Sequence, residues 1–115
     1  MLTNLLAAAL ALQTAAPPPP VLNQESRALL RCAAAFAVVS NRQAKGDATA
    51  QQWPALGTRG REFFVRTMAQ LMDRSGLDRA GIAALANSEA QAMVAKGEVD
   101  QVMPVCLAML EASGV

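Results

Sequence analysis

Three side chains in this sequence could carry chemistry: Cys32, Cys106 and Glu89. The cysteines are the only two, and they stand 74 positions apart. In an oxidising compartment, two such residues on the apolar faces of different helices are expected to form a disulfide. In a reducing one they would be two buried free thiols. A redox site would prefer Cys-x-x-Cys spacing, and a metal site would need further ligands. Glu89 is the third candidate, for a buried carboxylate. Ile82, Leu85, Ala86 and Met93 share a face at 3.6 residues per turn, and Glu89 falls in the middle of it. A carboxylate in such a place must be paired or protonated. The expectation is an ion pair with one of the eight arginines, from the first or second helix. The alternative is a group that handles a proton or senses pH.

What is missing bounds the chemistry further. The chain has no His and no Tyr, so no side chain titrates near neutrality without perturbation. Serine or cysteine catalysis through a histidine base is excluded, as are imidazole metal sites. Two lysines, Lys45 and Lys96, and the carboxylates are what remain for acid–base work. The chain is therefore read as non-enzymatic, with no metal site and no cofactor. Gly57-Thr58-Arg59-Gly60-Arg61 offers glycines and two arginines where a helix begins, which could cradle an anion. It lacks the Gly-Lys-Ser/Thr ending of a phosphate loop. The plainer reading is a flexible helix start with Thr58 as cap. Trp53 reads as a lid on the edge of the core rather than a platform for a ligand.

The elements that position these residues centre on one stretch, Leu29 to Val39. Arg31 is its one charge, and Cys32 to Val39 are apolar without interruption. A helix that is apolar all round is either buried by neighbours or set in a membrane. Eleven residues fall well short of the roughly 20 needed to cross a bilayer. This is expected to be the central helix of a small bundle. It should begin near Asn23 to Ser26 and run to about Lys45, with Leu29, Cys32, Ala33, Phe36 and Val39 inward and Arg27, Arg31 and Arg42 on the other side. After a loop over Asp47 to Leu56, a second helix should run from Thr58 to Ser75, with Phe64, Met68, Leu71 and Met72 inward. Ser75-Gly76-Leu77-Asp78 is a helix stop followed at once by a cap. A third helix follows from Arg79 to Lys96. A fourth, Glu98 to Ser113, sets Val99, Val102, Met103, Cys106 and Leu110 on one face, with Pro104 pointing away.

The first 24 residues read differently. They carry no charged side chain, and an apolar run over 2–16 ends in small residues before Pro17 to Pro20. Residues 1–16 read as a secretory signal peptide, 17–24 as a proline-rich spacer and 25–115 as the helical domain. The alternative is an N-terminal amphipathic arm on a cytosolic protein. With 115 residues, one domain is expected. A net charge of +1 gives no electrostatic case for nucleic acid, and the mature chain is expected to have no integral membrane anchor. At 3% aromatic residues the core must come from Ala, Leu, Val and Met, each burying little area.

A signal segment, four short helices and a disulfide between distant helices together resemble the HdeA-like acid-stress chaperones of the periplasm. The resemblance is one of layout. The cysteines lie near opposite ends of the helical part, the lysine- and aspartate-rich flanks of that family are missing, and no residue role carries over. The resulting expectation is an all-α protein, an antiparallel bundle of four short helices, in the periplasm or secreted. It acts without catalysis as an interaction or stress-response module toward a protein partner. The second reading is a binder of an apolar small molecule or lipid, held between methionine-rich helices.

Overall fold

The computed structural model describes residues 22–115; the expected leader, and the spacer up to residue 21, lie outside them. The fold is all-α: α1 (Gln24–Ala44), α2 (Arg59–Ser75), α3 (Arg79–Lys96) and α4 (Val99–Ala112), with one 3-10 turn at Ala50–Gln52. Gln24, assigned above to the spacer, is already the first residue of α1.

Each helix end is specified by residues a few positions away. The Asn23 side chain accepts from the Ser26 N–H at 2.8 Å and starts α1. Gly76 ends α2 in the left-handed conformation, at φ 73°, where a Cβ would be strained. Two residues later Asp78 accepts from Gly81 N–H at 2.8 Å and starts α3. Thr58 occupies the cap position of α2 but makes no side-chain capping bond, contrary to expectation.

The α1 helix is the hub. It touches all three other helices, α2 and α3 touch each other, and α4 packs mainly on α1. Ala33, Ala34, Ala35 and Phe36 are fully buried, on consecutive positions and therefore on all sides of the helix. The apolar run thus draws neighbours to every face, as its composition requires.

The inward face of α2 differs from the expected stripe. Phe63 is buried and Phe64 only half-buried; Gly60, Thr67, Met68 and Leu71 complete the face. Gly60 explains the rotation. A Cβ there would sit 3.0 Å from Leu56 Cβ and 3.4 Å from Phe36 Cβ, so its absence lets α2 approach α1. Phe63 then meets Phe36 edge to face, with ring centroids 5.2 Å apart. Pro104 lies inside α4 on its exposed side. Since α4 begins at Val99, the proline leaves the Asp100 carbonyl without its helical donor.

Candidate functional site

Cys32 and Cys106 are joined. Their Cα atoms lie 5.1 Å apart, inside the usual range for a disulfide, and both residues are buried. The bond fastens α4 to the hub near the middle of each helix. No free thiol remains among the described residues, so the cysteines offer structure and not a nucleophile.

Around this buried centre most polar side chains are turned to the surface, Ser26 and Thr67 being buried. Arg31 Nη2 donates to Glu98 Oε2 at 2.6 Å, tying α1 to the α3–α4 corner, while its Nε is buried without an acceptor. Arg59 pairs with Glu111 at 2.8 Å and also donates to the Val115 carbonyl. It is thereby directed toward α4, so Arg59 and Arg61 do not converge on the start of α2 as an anion cradle would require. Trp53 is half-buried against the core, as a lid should be, and its indole N–H donates to Asp100 Oδ1 at 2.9 Å.

Glu89 is half-buried on α3 and forms no ion pair or hydrogen bond with any described residue. The expected arginine partner is therefore corrected. Arg31 is on the neighbouring helix but is committed to Glu98, and Arg74 of α2 leans toward Glu25 instead, at 3.9 Å. Glu89 escapes the cost of an unpaired buried charge because it stands at the lip of an open groove and not inside the core.

That groove runs between the first half of α1 and the second half of α3, with a volume of about 760 Å³. Buried Leu30 and Met93, with half-buried Leu22 and Leu85, give it an apolar strip, and polar and charged side chains, the Arg31–Glu98 pair among them, line the rest. Arg27 stands on the α1 side; Glu89 and Lys96 stand on the α3 side. None of these three charges has an ionic partner among the described residues. A second groove, of about 340 Å³, lies where α1, α2 and α4 meet, lined by Leu29, Phe63 and Met109, with Arg66 and Arg74 beside them. Arg66 there is already paired with Glu62. Among the described residues no group of acidic or cysteine side chains has the arrangement of a metal site, and no helix is long and apolar enough to cross a membrane.

Sequence reasoning missed Gln43. From the last turn of α1 its side-chain amide donates toward the carbonyls of Ala50, Trp53 and Pro54, at 3.1, 3.3 and 2.9 Å. Its Oε1 accepts from Leu56 N–H at 3.0 Å. One side chain thus organises the whole loop between α1 and α2. A solvent-side glutamine near a helix end carries no periodicity or motif that would single it out.

No protein family, curated protein or solved structure matches this chain.

Proposed function

We propose that this chain is an exported, non-catalytic interaction module that engages a protein partner through the α1–α3 groove. The observation that carries the reading is the position of Glu89: a carboxylate with no partner among the described residues, on a groove of mixed apolar and polar lining flanked by two further unpaired charges. Apolar lining supplies area, and unpaired rim charges supply orientation, the division of labour usual at protein interfaces. The disulfide favours an oxidising compartment, and the uncharged apolar start of the sequence favours export to the periplasm or beyond. A stress-response role, of the kind the layout resemblance implies, is a narrower form of the same reading.

Binding of an apolar acid is the second reading, favoured by the groove of Leu29, Phe63 and Met109 with arginines at its edge. One experiment separates the two. A photoreactive residue placed at Ala92, in the α1–α3 groove, should crosslink to a polypeptide in the native host, whereas one at exposed Val65 should not. Native mass spectrometry of the purified protein showing a bound lipid and no crosslink at Ala92 would transfer the assignment to the second reading.

A further inference from the structure

The α1–α3 groove is self-complementary, and we infer that its occupant is the α3 helix of a second copy of this chain, forming a two-fold dimer. This rests on the groove being a docking surface, as proposed above, and names what docks there. The groove-lining stripe of α3 is Leu85, Ser88, Glu89, Ala92, Met93 and Lys96. Glu89 and Lys96 are two helical turns apart on this stripe, about 10 Å along the axis. They are of opposite sign, and each lacks an ionic partner among the described residues.

A two-fold interface repeats each contact: if one residue meets a second, the second meets the first across the axis. Two α3 helices laid antiparallel, with the axis between Ala92 and Met93, bring Glu89 of each copy to Lys96 of the other. Each charge then has one partner, and the pair forms twice. The alternatives are worse. A parallel pairing, or an antiparallel one centred on Glu89, sets carboxylate against carboxylate, and like charges in contact oppose association.

The remaining features fit this placement. Arg27, on the α1 rim, adds a second cation facing the incoming helix. Ser88 and Ala92 are small and exposed, which permits an interaxial distance at the short end of the usual 8–10 Å. Gln91 and Ala95 are exposed beside them and carry no charge, so no charge on that flank of the stripe opposes a second helix. Between Arg79 and Lys96, Glu89 is the one charged residue of α3, so its partner fixes the register.

Sedimentation equilibrium of the disulfide-intact protein across the micromolar range tests this. Wild type should show reversible dimerisation. Glu89→Lys and Lys96→Glu should each raise the dimer dissociation constant about tenfold or more, since each change turns two attractive pairs into repulsive ones. Mixing the two single variants should restore association, because the mixed pair sets two lysines against two glutamates. Circular dichroism matching wild type excludes unfolding as the cause of any loss. A wild type that stays monomeric throughout overturns the inference, as does a dimer indifferent to both substitutions or not restored by mixing. If wild type is monomeric while Ala92 crosslinks to a different polypeptide, the dimer falls and the groove's role as a docking surface stands. If wild type is monomeric and Ala92 crosslinks to nothing, both fall.

Discussion

At the scale of single residues, the side chains that matter are those whose partners are remote in sequence. Arg31 could have met Glu89 but meets Glu98, which leaves Glu89 open to the groove. Gln43 shows the reverse, one amide satisfying the backbone of a whole loop. Removing it leaves carbonyls and an N–H near the core to be rehydrated, and a lost hydrogen bond typically costs about 1 kcal/mol. Gln43→Ala should therefore destabilise by about 1–3 kcal/mol in denaturant titration. Trp53, the sole tryptophan, sits in that loop, so its native-state fluorescence should shift toward the solvent-exposed spectrum. An unchanged spectrum with unchanged stability would mean that the loop is held without Gln43.

At the scale of elements, α2 is placed by the lack of a side chain. Gly60 lies against Leu56 and Phe36, where a methyl group would be 3.0 and 3.4 Å from their Cβ atoms. The neighbours are carbons rooted in the backbone, which give way only if α2 retreats from α1. Gly60→Ala should accordingly cost about 1–3 kcal/mol, the range for overpacking a tight contact. Gly57, three residues earlier, faces open space. Gly57→Ala should change stability by less than about 1 kcal/mol, with a small gain favoured by reduced freedom of the unfolded chain. Chemical denaturation of the pair checks both. Equal effects would mean that helix propensity, and not the α1–α2 contact, governs this position.

At the scale of the molecule, the disulfide does what the thin core leaves undone. Helix α4 rests mainly on α1, and alanines contribute much of the hub's buried surface. Closing a loop of 74 residues restricts the unfolded chain by about 4 kcal/mol in the chain-entropy account. That is a large share of the total for a domain of this size. Cys32→Ala with Cys106→Ala should lower the melting temperature by about 15 °C or more. A shift of only a few degrees would show that α4 holds its place by packing alone.

Local and compositional features were legible in the sequence alone. Asn23 and Asp78 start helices, and Gly76 and Gly97 end them, because capping joins backbone groups only a few residues apart. The burial of α1 followed from its composition, since apolar residues on every side of a helix must be covered on every side. The disulfide partner followed because there was no other cysteine to choose. Tertiary packing decided the rest. Phe63 and Phe64 are consecutive, about 100° apart round the helix, and either could begin an inward stripe. The missing Cβ of Gly60 against α1 selected Phe63. The apolar surroundings of Glu89 were readable from the spacing of α3, but its lack of a partner was not. That depended on how α1 and α3 lie against each other, which sets Arg31 against Glu98 and opens a groove beside the carboxylate. Helical periodicity gives the direction in which a side chain leaves its own axis. Only the packing of one axis against another fixes what it meets.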